Sequence, residues 1–146
     1  MQVVPIETQN TEHFLISSPE EFRQATRHEH TLVQDYQEFL DTHQGLKSVR
    51  LKILPSGETN PIYTDLFIES QNLLVEAKSS ADRISIRMAI GQLYDYARFR
   101  DPRPDLAVLL PERPSDDLVA LLKERRISII CRSASGEFNR LNAKAD

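Results

Sequence analysis

One cysteine and four glycines in 146 residues are scarcities that each remove a class of protein. A lone Cys131 cannot form an internal disulfide, and its apolar context (ISIIC) predicts a buried strand position in a reducing compartment. The few glycines never cluster into a phosphate-cradling loop. No apolar run reaches membrane-spanning length and no charged-then-apolar signal segment opens the chain, so a cytoplasmic protein with no membrane partner is expected. An excess of positive charge is missing as well. The net charge of −4 argues against a surface that coats polyanions generally, but leaves room for a local basic groove beside an acidic site. There is no internal repeat. Nor is there a Ser-His-Asp or Cys-His set, because Cys131 lies far in sequence from every histidine.

What is present fits one domain with a single core: 40% hydrophobic and 27% charged residues. Residues 1–17 hold two short apolar runs and read as an arm or an edge hairpin, where His13 has no companion at ligand spacing. Residues 18–132 form the domain proper, and 133–146 read as a loose polar tail. Ser18-Pro19-Glu20-Glu21 is a strong helix start, and that helix should run to about residue 42 and end at Gly45. Its apolar stripe is Phe22, Ala25, Leu32, Val33, Tyr36, Phe39 and Leu40. Glu29 occupies one place in that stripe; His28 and His30 flank it but point away. An inward carboxylate needs a partner, either a site it completes or an arginine or backbone group in the core.

Residues 46–54 read as a strand with Val49, Leu51 and Ile53 inward and Arg50 and Lys52 outward, closed by a Pro55-Ser56-Gly57 turn. The stretch from Ile62 to Lys78 carries the chemistry. Residues 62–68 alternate as one strand, Glu69-Ser70-Gln71-Asn72 is a polar turn, and Leu73 to Lys78 is the return strand. If those four residues close an antiparallel hairpin, Ile68 pairs with Leu73 and Asp65 falls opposite Glu76, with Lys78 on the same face. Tyr63, Phe67 and Leu74 share that face, so the hairpin reads as buried on both sides. Two facing carboxylates repel. A hard divalent cation, Mg²⁺ or Mn²⁺, is the economical reason to keep them together, and Lys78 can share the neutralisation or hold a water or an anion.

A second helix, capped by Asp82, should run from residue 83 to about 99. It stacks Gln92 and Tyr96 one turn apart and puts Arg83 and Arg87 in its first turns, where they suit phosphate contacts. Residues 105–110 (DLAVLL) are then a strand buried on both faces. A third helix follows with Asp116 and Asp117 early and Lys123, Arg125 and Arg126 late, and residues 127–131 form a parallel strand reached by a right-handed crossover.

This order, with Asp65, Glu76-Ala77-Lys78 and Gln92-x-x-x-Tyr96 in place, resembles the PD-(D/E)XK nuclease superfamily, and most closely its RecB-like branch with a QxxxY motif. The run RMAIGQLYDYARF followed by DLAVLLPERP is similar to nuclease-like domains of restriction and phage-defence proteins. The resemblance implies an α/β restriction-endonuclease-like core (αβββαβ with an added αβ), its mixed sheet flanked by helices. It implies a metal-dependent deoxyribonuclease in which Asp65, Glu76 and the Ala77 carbonyl hold Mg²⁺, Lys78 positions the attacking water, and Glu29 completes the shell. Gln92 and Tyr96 would serve both catalysis and contact with DNA. A homodimer, and a partner protein supplying DNA targeting, are the associations it suggests. An inactive nuclease-fold interaction or regulatory subunit, and a nuclease acting on RNA, are the alternatives. Thr64 stands where the superfamily commonly has proline before the first acid.

Overall fold

Ser18 opens the first helix with the reciprocal bonds its sequence predicts. Its hydroxyl accepts from the Glu21 amide (3.2 Å), and the Glu21 carboxylate accepts from the Ser18 amide (3.1 Å). In this computed structural model, which describes residues 1–3, 5–6 and 18–143, that helix is α1 (Pro19–Phe39). A wider π-type turn at Leu40–Gln44 ends it, and Gly45 takes the left-handed conformation (φ 60°) that glycine adopts without steric cost. The expectation for residues 7–17, His13 included, falls outside the described residues.

The rest of the chain gives β1 (Lys52–Ile53), β2 (Ile62–Tyr63), β3 (Leu66–Ile68), β4 (Leu73–Ala77), α2 (Arg83–Ala97), β5 (Asp105–Leu110), α3 (Asp116–Glu124), β6 (Ile127–Arg132) and β7 (Phe138–Leu141). Side-chain caps start both later helices. Asp82 accepts from the Ser85 amide at 2.8 Å, and Ser115 accepts from the Leu118 amide at 3.4 Å. Five strands form one mixed sheet in the order β3-β4-β5-β6-β7, with β4, β5 and β6 parallel and the two outer strands antiparallel to their neighbours.

Strand alternation divides the core into two layers. Leu106, Val108 and Leu110 of β5 face Ile86, Ala89 and Leu93 of α2 and Leu118 and Leu122 of α3. Ala107 and Leu109 face the other way, toward Leu32, Tyr36 and Leu40 of α1 and its extension. The protein is therefore an α/β sandwich of three layers.

Three sequence expectations need correction. The expected tail of 133–146 is not simply loose over its described part, 133–143: β7 pairs along β6 from Ile129–Leu141 to Arg132–Phe138. Its Phe138 ring packs edge-on to Tyr36 (5.1 Å between centroids) and beside Phe39 (5.5 Å). A single aromatic side chain, an Arg140–Gln71 hydrogen bond (3.1 Å) and backbone pairing hold this strand, so its polar composition gave no sign of it. Phe22, placed on the inward stripe, is 67% exposed because α1 meets the sheet only from Leu32 onward. Val49, also expected inward, is 41% exposed.

The third correction concerns the strand approaching the acids. Residues 62–68 are two short strands, and β2 pairs with β1 in a separate ribbon. Lys52 lies opposite Tyr63, yet Val49 lies opposite Phe67, so the three-residue step on one side faces a four-residue step on the other. That extra residue is the mark of a bulge, and it falls between Tyr63 and Phe67. Tyr63 is consequently half exposed, with the Arg50 guanidinium 5.3 Å over its ring, and this end of the hairpin is not buried on both faces.

Candidate active site

β3 and β4 keep the register their turn imposes. Ile68 lies opposite Leu73, Phe67 opposite Leu74 and Leu66 opposite Val75. Beyond Leu66 the bulge turns the chain away, and the Asp65 side chain takes over where the backbone ladder stops. Its Oδ2 accepts a hydrogen bond from the Ala77 amide at 2.8 Å. The strand pairing ends at Leu66 and Val75, but the carboxyls of the next residues, Asp65 and Glu76, are within hydrogen-bonding reach of each other.

Glu76 is buried, 4% exposed. Burial foremost, and then the Asp65 charge, push its carboxyl up to about 8; the Lys78 ammonium opposes the shift, and Glu29 adds to it weakly. Lys78 is buried too, with Nζ 3.6 Å from Glu76 Oε1, and its amide bonds to the Leu109 carbonyl, carrying β4's pairing one residue past its end. Glu29 reaches the same place from the middle of α1. It accepts a hydrogen bond from the Ser79 backbone, and its carboxyl is raised by burial and by Asp65 against the pull of Lys78. Both readings of Glu29 therefore meet: it has a backbone partner, and it sits in the field of the other acids.

From α2, Gln92 Nε2 lies 3.4 Å from the Tyr96 hydroxyl. Desolvation raises the Tyr96 phenol, the Gln92 bond lowers it, and Glu76 and Asp65 then raise it, which places the ring within their field. Gln92 Oε1 is buried without a hydrogen-bond partner among the described residues. Asp65, Glu76, Ala77, Lys78, Glu29, Gln92 and Tyr96 are thus brought together. Arg83 is drawn elsewhere, into an ion pair with Asp117 of α3, and Arg87 lies exposed one turn further on. Among the described residues no group of three or more His, Cys, Asp and Glu side chains is arranged to hold a metal ion.

No protein-family model, curated protein or solved structure matches this chain. What the site can do follows from its own chemistry.

Sequence reasoning missed the role of Thr64. Fully buried, it accepts from the Leu51 amide through Oγ1 (2.9 Å), donates its own amide to the Leu51 carbonyl (3.0 Å), and takes Arg50 Nε on its carbonyl (2.9 Å). These bonds fasten the bulge next to Asp65. A polar residue inside an otherwise apolar alternation was the available signal. Thr64→Val is expected to leave the Leu51 amide unpaired, lowering stability by about 1–2 kcal/mol in urea titration.

Proposed function

We propose that the protein is a divalent-metal-dependent deoxyribonuclease with a restriction-endonuclease-like core, its centre at the Asp65–Glu76 pair. One observation carries this reading: two carboxyls share a buried site in which Glu76 is driven up to about 8 despite an ammonium 3.6 Å away. Structure of this kind is costly and gains nothing for packing, whereas a cation would turn the repulsion into attraction. The donor set fits a small hard ion. Mg²⁺ keeps several waters and takes only one or two protein carboxylates, so a nest of three acids is not required. Asp65, Glu76 and the Ala77 carbonyl would hold it, with Glu29 reached through water.

Bound there, the cation would supply Lewis-acid neutralisation of the phosphate and the leaving oxygen. The chain's own groups do the rest. Lys78 Nζ, fixed by burial and by Glu76, can orient a water and offset negative charge as it develops. The orphan Gln92 Oε1 can accept from a nucleotide or a water, and the Tyr96 hydroxyl can donate to a phosphate oxygen. The absence of a three-acid nest among the described residues favours a second reading, a nuclease-fold module without catalysis.

Incubating the protein with circular and linear DNA, with and without Mg²⁺ and beside Lys78→Ala, separates the two. Metal-dependent nicking or resection that Lys78→Ala loses is the expected result. No cleavage under any condition supports the inactive module. Parallel lanes of RNA decide the substrate.

A further inference from the structure

At the other end of the parallel strands lies a cavity of about 990 Å³ that has no part in the candidate active site. In the β4–β5 ladder Leu73 lies opposite Asp105 and Ala77 opposite Leu109. The acids stand at the Ala77 end and the cavity opens at the Asp105 end, roughly 13 Å away along the strands. Arg103, Lys123, Arg125, Arg126 and Arg140 line it, against two carboxylates, Asp105 and Glu124. Five cations in one groove are unusual for a chain with a net charge of −4. The negative end of α3 accounts for cations in its last turn, Lys123, Arg125 and Arg126. It does not account for Arg103, from the loop before β5, or Arg140, from β7.

Arg140 donates to the neutral Gln71 side chain (3.1 Å), and of the five cations only Arg125 is neutralised by a carboxylate ion pair among the described residues. Glu124 pairs with Arg125 at 2.8 Å, whereas Lys123 and Arg126 have no acidic partner among the described residues. Arg103 stacks 5.4 Å over the Tyr94 ring, and the Tyr94 hydroxyl donates to the Arg125 carbonyl at 2.7 Å, which stiffens this wall. Arg126 sits just past the helix end in the left-handed conformation (φ 59°) that glycine normally fills there. A strained backbone carrying a cation into a cation-lined groove points to a use for that cation.

We infer that this groove is a second nucleic-acid contact surface, which grips the phosphate backbone of a strand away from the cutting centre. Its size is at the top of the roughly 300–1,000 Å³ range of small-molecule pockets, and its cations are spread over three chain segments rather than focused on one point. Both features suit a row of phosphates better than a single anion. The inference rests on the reading of the protein as acting on nucleic acid, so its test omits divalent metal and does not depend on cleavage.

Fluorescence anisotropy with a labelled oligodeoxynucleotide, in EDTA and across a salt series, compares wild type, Arg126→Gly, Lys123→Gln and their double variant. The double variant should bind roughly tenfold or more weakly at low salt, with a salt slope shallower by about 0.7 per lost contact. Arg126→Gly should weaken binding while melting at or above the wild-type temperature, since glycine relieves the backbone. If it melts lower instead, Lys123→Gln, whose side chain is exposed, decides by itself: weaker binding with a shallower slope upholds the proposal, and unchanged binding overturns it. Unchanged affinity and slope in the double variant would overturn the proposal. Displacement of the oligonucleotide by equimolar pyrophosphate would overturn it in favour of a small-anion pocket. Wild-type protein that binds no DNA in EDTA also overturns it, and leaves the metal-dependent cleavage experiment to be judged by itself.

Discussion

Replacing Asp65 by Asn is expected to cut metal-dependent cleavage by roughly a thousandfold or more, while leaving the metal-free protein as stable as wild type or slightly more so. The activity loss follows from removing one of the two anionic ligands, since a catalytic cation contributes several kcal/mol of charge stabilisation. The stability result follows from the geometry. Asp65 Oδ2 accepts from the Ala77 amide, and an asparagine side-chain carbonyl can accept in its place. Above about pH 8, where Glu76 is ionised, the asparagine amide can also donate to Glu76 where a second carboxylate repelled it, a relief worth roughly 0.2–1 kcal/mol. Asp65→Ala has the opposite expectation. It strands the buried Ala77 amide and should destabilise by about 1–3 kcal/mol. Urea titration of both variants, beside a gel assay, tests the pair. If Asn proves as destabilising as Ala, Asp65 is a structural cap on the end of β4 and the functional reading loses its main support.

The residues that made the site legible in sequence are those governed by local rules. Glu69 to Asn72 could only be a tight polar connection, and the apolar pair Ile68 and Leu73 around it fixed the register as far as Leu66 and Val75, which leaves the Asp65 and Glu76 carboxyls close together without any tertiary knowledge. Ser18, Asp82 and Ser115 marked the helix starts by their own side-chain chemistry. The bulge beside Thr64 was illegible, because its cause is distant. Val49 and Leu51, more than a dozen residues back, determine which backbone groups residues 63–67 must satisfy. Strand β7 was hidden for the same reason, its apolar anchor being Phe138 against rings on α1. Glu29 lay between these cases. Helical periodicity turned it inward, but only the fold could bring it to Ser79 and Lys78.

Thermal unfolding of the metal-free protein is expected to show a melting temperature that falls as pH rises from about 4.5 toward 8. Glu76 titrates at about 8 in the native state against an ordinary value of 4.5, so through that window the folded protein holds a proton that the unfolded chain has lost. Raising the pH therefore favours the unfolded chain. Below the window both states are protonated and above it both are ionised, so the effect is confined to it. Glu29, also raised, acts in the same direction. Asp82, lowered from 3.8, acts oppositely and only on the acid side. A cation reverses the balance, because it binds the ionised carboxyl and displaces the proton. Added Mn²⁺ should thus raise the melting temperature more at about pH 8.5 than at about pH 5.5. At a hundredfold excess over its Kd the gain is about 2.7 kcal/mol, on the order of 10 °C for a domain of this size. Glu76→Gln should abolish both the slope and most of the metal shift. A shift of equal size at both pH values would place the metal somewhere other than Glu76. No shift at either would leave the buried carboxyl pair without the counter-ion that alone explains its retention, and would favour the inactive module.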